Sequence, residues 1–111
     1  MRDARRNIVL IGMAGAGKST VGVLLAKAMS RAFIDTDLVI QAAEGRRLQD
    51  ILDRDGIDAF RRIEEKHVLA LQAGNAVIAT GGSVVYSAQA MEHLKKSGTV
   101  IYLYLPVCEL E

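Results

Sequence analysis

A chain of 111 residues, 50% hydrophobic and 24% charged, is the size of one domain and has the make-up of a packed core, which excludes a disordered chain. Fourteen basic residues against thirteen acidic ones leave a net charge of +1, so neither a nucleic-acid-coating surface nor a polybasic membrane patch is indicated. The single cysteine, Cys108, excludes an internal disulfide, it and two scattered histidines make no zinc site, and no apolar run approaches the ~20 residues of a bilayer span.

In chain order, the charged residues 1–6 are followed by too few apolar ones for a signal peptide, and a reduced, cytoplasmic compartment is the expectation. Ile8-Val9-Leu10-Ile11, ending at Gly12, reads as a strand buried on both faces. After a glycine-rich turn, Val21, Leu24, Leu25 and Ala28 recur at helical spacing and predict a helix over 18–29. Ala32-Phe33-Ile34 is a second strand, closed by Asp35-Thr36-Asp37. A short helix over 38–44 stops at Gly45. Leu48, Ile51 and Leu52 mark another turn or two, ending near Gly56. The longest helix is expected over 57–72, with Phe60, Ile63 and His67 on one stripe. Residues 76–79 form a third strand, stopped by Thr80-Gly81-Gly82. Ser87 is placed to cap a helix reaching 96, whose last turn holds two lysines. Residues 99–105 are a fourth strand, and Pro106 opens a further helix. Uniformly apolar strands alternating with helices predict an α/β fold, a parallel sheet with helices on both faces. Ile101-Tyr102-Leu103-Tyr104-Leu105 is apolar at every position, as a covered strand would be. Residues 1–111 are therefore read as one domain, the N-terminal part of a larger α/β unit.

Gly12-Met13-Ala14-Gly15-Ala16-Gly17-Lys18-Ser19 fits G-x-x-x-x-G-K-[ST], and Thr20 follows it. The spacing follows from the chemistry. Phosphate oxygens are approached by consecutive backbone N–H groups, which only small residues permit, and the helix beyond points its positive end at the anion. Lys18 then reaches the β- and γ-phosphates, and the Ser19 hydroxyl is a Mg²⁺ ligand. A strand before the loop and an amphipathic helix after it supply the required context. Gly12, Ala14, Gly15, Ala16, Gly17, Lys18, Ser19 and Thr20 are the candidate nucleotide-binding residues.

No strand ends in the acidic residues that motor-type ATPases use, and no Asn-Lys-x-Asp motif reads guanine. Instead Asp35-x-Asp37 ends strand two, Phe60-Arg61-Arg62-Ile63-Glu64-Glu65 sits on the long helix, and Thr80-Gly81-Gly82 ends strand three. Carboxyl ends of parallel strands line one crevice, so these groups are expected to converge on the loop. Each has a plainer reading when taken alone: the aspartates as turn and cap residues, the arginines and glutamates as a solvated helix face, Phe60 as core, both histidines as structural. Arg61 is suited to a carboxylate because its planar fork makes two parallel bonds, and Glu64, three residues on, is placed to orient it.

In their order and spacing these motifs resemble the shikimate kinase family, small P-loop enzymes of the nucleoside-monophosphate-kinase-like fold. The resemblance covers all but the first few residues. It implies an ATP-dependent transferase acting with Mg²⁺ on the hydroxyl of a small hydroxy-acid, shikimate to shikimate 3-phosphate, in aromatic amino acid biosynthesis. It also implies that Asp37 holds the acceptor hydroxyls and is the base, that Lys18 acts with it in catalysis, and that Asp35 joins Ser19 in holding the metal. Arg61 would take the acceptor carboxylate, and the Gly81 and Gly82 amides would face the acceptor. By the same resemblance the sheet order is 2-3-1-4-5, strand four is an open edge, and an arginine-bearing lid and the last strand and helix are missing. The 111-residue chain is then expected to hold nucleotide weakly and turn over essentially nothing, and the full-length protein to be a monomer. Ser83 stands where the family has a third glycine, which bears on the acceptor. Two other readings stay open: a related kinase with a different alcohol acceptor, and a nucleotide-binding module without catalysis.

Overall fold

The apolar runs assemble into a four-stranded sheet in this computed structural model, which describes residues 6–12 and 17–103. The strands are β1 (Asn7–Ile11), β2 (Ala32–Asp35), β3 (Ala76–Ala79) and β4 (Gly98–Tyr102). They lie in the order β2-β3-β1-β4, every pair parallel, which is the order the resemblance implies for the first four. The helices are α1 (Lys18–Met29), α2 (Thr36–Glu44), α3 (Leu48–Leu69) and α4 (Ala88–Ser97). The loop residues 13–16 and the expected continuations at Tyr104, Leu105, Pro106 and Cys108 lie outside the described residues.

Alternation along β1 divides the core. Val9 and Ile11 pack with Val68 of α3 and with Ala90 and Leu94 of α4. Leu10, one position out of phase, packs with Val77 and with Ala26 of α1 on the opposite face. A satellite cluster of Ile40, Ile51 and Phe60 joins α2 to α3, so Phe60 is core. Gly22 is where α1 meets the sheet: a β-carbon there would lie 2.5 Å from the Phe33 ring.

Both helical stretches expected around Gly56 are present within α3, one on each side of a break at that residue. Gly56 has φ 89° and ψ 170°, a conformation that L side chains resist, so chain direction changes there while the helix resumes beyond it. Ser87 caps α4 by accepting from the Ala90 amide. A 3-10 turn at Val84–Tyr86, not foreseen in the sequence, precedes it. His67 Nε2 lies 2.8 Å from Glu44 Oε2 and ties α3 to α2, while His93 Nε2 lies 2.9 Å from the Leu71 carbonyl. That His67 bond, with Lys66 nearby, holds the Glu44 carboxyl below the usual carboxylate range.

Asn7 is a buried polar residue that the apolar pattern concealed. Its amide donates to Ala73 O at 2.8 Å and its side-chain oxygen accepts from the Ala76 amide at 2.9 Å, joining the starts of β1 and β3. β2 and β4 are the outer strands of the described sheet, and Tyr102 on β4 is 54% exposed. Among the described residues, no helix is long and apolar enough to cross a membrane.

Candidate active site

The site grows out of the carboxyl ends of β1, β2 and β3. At β1, Gly12 has φ 146° and a β-carbon on it would lie 2.6 Å from Leu103 O, so glycine is required twice over. Its carbonyl accepts a 2.8 Å hydrogen bond from Lys18 Nζ. Gly17, with φ 84° and ψ 22°, is the left-handed cap of α1. Among the described residues no side chain caps that helix, and no acidic residue sits in its first turn, so its positive end faces the cleft without a negative side chain of its own.

At the end of β2, Asp35 Oδ1 accepts from the amides of Asp37 (2.9 Å) and Leu38 (3.4 Å), capping α2. Its Oδ2 accepts from the Ser19 hydroxyl at 2.9 Å. The cap reading and the functional reading of this aspartate are thus both met by one carboxylate. Asp37, in the first turn of α2, makes no capping bond and turns toward Gly81 instead. After β3, Thr80 is pinned to Leu10 O by both its amide and its hydroxyl, at 3.1 and 2.9 Å. The Gly81 amide donates to Thr36 Oγ1 at 3.1 Å, so among the two amides expected to face an acceptor, only that of Gly82 is uncommitted. A β-carbon on Gly81 would fall 2.6 Å from Glu64 Oε2 and 2.7 Å from Asp37 Oδ1. Glycine is needed there for space, not for an unusual φ.

A cleft of about 310 Å³ is lined by Gly17, Lys18, Ser19, Thr20, Asp35, Asp37, Thr80, Gly81 and Gly82. The structure therefore brings together every described candidate except Gly12, which forms the floor beneath Lys18, and Arg61. Ala14, Gly15 and Ala16 lie outside the described residues. Arg61 lines an adjoining cleft of about 170 Å³ with Arg62, Glu64, Glu65, Ser83, Tyr86 and Ser87. Its guanidinium carbon lies 5.1 Å from the Tyr86 ring centroid. Glu64 Oε1 accepts from Ser83 Oγ at 2.6 Å, and the Arg61 charge, one helical turn away, acts on the same carboxylate. Its Oε2 is buried without a partner. Thr36, Thr80 and Tyr86 are site residues that were not among the candidates, although Thr36 and Thr80 lie inside the Asp35-Thr36-Asp37 and Thr80-Gly81-Gly82 motifs and only Tyr86 carried no sequence signal.

The charges perturb one another. Burial lowers the Lys18 ammonium pKa, partly offset by Asp37 and Asp35. Burial and then the Asp35 charge raise the Asp37 carboxyl, with Lys18 opposing. Burial likewise raises Glu64, with Asp37 adding to the rise and the Ser83 hydrogen bond and the Arg61 charge opposing it. Burial thus works against the charged forms of Lys18, Asp37 and Glu64 alike. A polyanion at the loop and a divalent cation at the Ser19–Asp35 pair would favour the charged forms of Lys18 and Asp37 respectively.

The family model for shikimate kinase matches residues 14–110. The chain belongs to the shikimate kinase family. A shikimate kinase of Symbiobacterium thermophilum is 46% identical over 98 residues, covering 87% of this chain and 56% of the relative. A shikimate kinase 2 of Dickeya chrysanthemi is 39% identical over 103 residues, covering 93% and 60%. Among solved structures, shikimate kinase from Acinetobacter baumannii in complex with shikimate superposes with a TM-score of 0.85 at 38% identity, covering 95% of this chain and 59% of that one. The shikimate kinase of Aquifex aeolicus does so with a TM-score of 0.79 at 33% identity. The chain spans 56–60% of the length of the two curated relatives described. The P-loop fold of shikimate kinases is thereby shown for this chain, with its parallel sheet and flanking helices.

Proposed function

We propose that this protein transfers the γ-phosphoryl group of ATP to a hydroxyl of shikimate. The observation that carries the reading is the convergence of Lys18, Ser19, Asp35, Asp37 and Gly82 on one cleft at the carboxyl ends of three parallel strands. Family membership and the shikimate bound to the Acinetobacter baumannii relative support the acceptor. A site for Mg²⁺ fits the residues present. One hydroxyl and one carboxylate oxygen, 2.9 Å apart, are hard donors of the kind that hold this ion together with phosphate oxygens and water. When bound, the ion supplies charge neutralisation across the phosphates.

The chain's own residues do the rest. The open N-terminus of α1 and the Lys18 ammonium bind phosphate oxygens, and Lys18 exchanges its bond to Gly12 O for that contact. Asp37 accepts the proton of the attacking hydroxyl, and its raised pKa makes it a better base than an exposed aspartate. The Gly82 amide and the Arg61 guanidinium fix the acceptor's orientation, the latter through the acceptor carboxylate. Phosphoryl transfer rests on such positioning and charge placement, and the cytoplasm supplies the ATP. A coupled assay of the full-length gene product against a panel of alcohols tests this. The expected result is turnover with shikimate far above gluconate and simple diols. Turnover with another alcohol and none with shikimate would overturn the acceptor, and nucleotide binding without any turnover would overturn the enzyme.

A further inference from the structure

Tyr86 is 72% exposed, so core packing does not explain where its ring stands. The ring lines the Arg61 cleft, and the guanidinium carbon of Arg61 lies over it, 5.1 Å from the centroid and inside the ~6 Å reach of a cation–π contact. The turn beneath the ring is well anchored. Val84 is buried in the core with Val9 and Val68, and the Tyr86 amide donates to Ser83 O at 3.1 Å. Ser87, the next residue, caps α4 and donates its hydroxyl to Glu65 of α3, the helix that carries Arg61. Ring and guanidinium are therefore tied to one another by a short path. Arg61 is itself exposed, and a long exposed side chain loses rotamer freedom when a ligand stills it. An aromatic face restrains such a side chain without bringing carboxylate oxygens that would occupy its N–H fork.

We propose that Tyr86 is a positioning residue for the acceptor: its ring holds the Arg61 guanidinium in its cleft, set in advance for the acceptor's carboxylate. The inference rests on the kinase reading above. Glu64 and Arg61 act on one another across one turn of α3, and Tyr86 adds support from the turn that follows β3, so the fork is held from two elements. Ordering the arginine beforehand lowers the entropy that binding a carboxylate would otherwise cost. Tyr86 does not line the cleft of Lys18, Ser19, Asp35 and Asp37, so ATP binding and the chemical step are left alone. The ring face is what matters, not the phenolic hydroxyl. The signature is an acceptor affinity that depends on an aromatic side chain at position 86 and on a carboxylate in the acceptor.

Tyr86→Leu and Tyr86→Phe in the full-length protein test it, and at so exposed a position neither is expected to disturb folding. The first measurement is the NMR shift of the Arg61 Nε–H with no ligand present, which the ring current of a facing aromatic displaces. Tyr86→Leu is expected to abolish that displacement and Tyr86→Phe to keep it. The second is steady-state kinetics. Tyr86→Leu is expected to raise the shikimate KM by about 2- to 5-fold, the worth of an exposed cation–π contact, with kcat and the ATP KM unchanged. Tyr86→Phe is expected to keep the wild-type KM. The third is inhibition by the carboxamide of shikimate, which offers Arg61 no carboxylate; its inhibition constant is expected to be the same in Tyr86→Leu and wild type. Equal weakening of acid and amide would mean that the ring packs on the acceptor itself, and would overturn the proposal. An Arg61 resonance unmoved in Tyr86→Leu, an unchanged shikimate KM, or a KM raised equally by Tyr86→Phe overturns it too. Each of these failures leaves the kinase reading intact. Absence of shikimate turnover in the wild type overturns the kinase reading and the proposal with it.

Discussion

Lys18 is nearly buried, and its ammonium pKa is lowered because its partners in the free protein, a carbonyl and two carboxylates, do not fully replace water. Phosphate oxygens would. Lys18→Met is expected to weaken ATP binding by roughly 10- to 100-fold, the scale of one charged hydrogen bond, with the circular dichroism spectrum unchanged; titration calorimetry reads it. Asp37→Asn keeps the shape and removes the base, so turnover of the full-length protein is expected to fall by roughly 10²–10⁴-fold, the range of general base catalysis. Arg61→Lys loses the planar fork and is expected to raise the acceptor KM while leaving that for ATP alone. Asp37 must be ionised to act, and its carboxyl is raised, so kcat/KM falls on acidification at a pH above the ordinary aspartate range. Glu64 carries the opposite lesson, about folding. Its carboxyl binds a proton more tightly when folded than when unfolded, so between the ordinary glutamate pKa and the raised one the native state holds more protons. Stability from this group is complete at low pH and is lost as pH rises through the folded value. Glu64→Gln removes that loss, and denaturant titration should show a variant more stable than the wild type at neutral pH, with the gain disappearing on acidification below the ordinary glutamate range.

The strands are held in register at their amino ends as firmly as the site is built at their carboxyl ends. Asn7 satisfies the Ala76 amide and the Ala73 carbonyl, which β1 and β3 cannot do for each other where the ladder begins. Asn7→Ala leaves both unpaired in the interior and is expected to cost about 2–4 kcal/mol by chemical denaturation, while Asn7→Asp keeps only the acceptor and recovers part of it. At the opposite end, α2 is capped by Asp35, and the same cap holds Ser19 of α1, so two helix starts are locked around one carboxylate. The Ser87 cap of α4 is tied to α3 through Glu65, which fixes the turn that carries Ser83 and Tyr86. These bonds explain why the site sits where helices begin: caps, open amides and strand ends share the same few residues.

Much of this molecule could be read from its sequence because apolar runs and glycines punctuate it plainly. The run from Ile8 to Ile11 becomes β1, the spacing of Val21, Leu25 and Ala28 belongs to α1, and Gly45 ends α2 in a left-handed conformation. The strand order came from family resemblance, since periodicity does not say which strands are neighbours. Gly56, read as the end of one helical stretch before the next, does break the helix, with a non-helical φ of 89° and ψ of 170°. The Ser83–Glu64 bond was invisible for a different reason: helical spacing offered Glu64 a nearer partner, and a contact across 19 positions is set by tertiary packing. The central claim is that one cleft takes a nucleotide at its loop end and shikimate at its Asp37 end. Amide and guanidinium NMR of the labelled chain tests this most directly, with a non-hydrolysable magnesium nucleotide added first and shikimate second. The account predicts that nucleotide shifts residues 17–20 and that shikimate then shifts Asp37, Gly82 and the Arg61 side chain, each saturably. Saturable nucleotide binding with no response of Asp37, Gly82 or Arg61 to shikimate would contradict it.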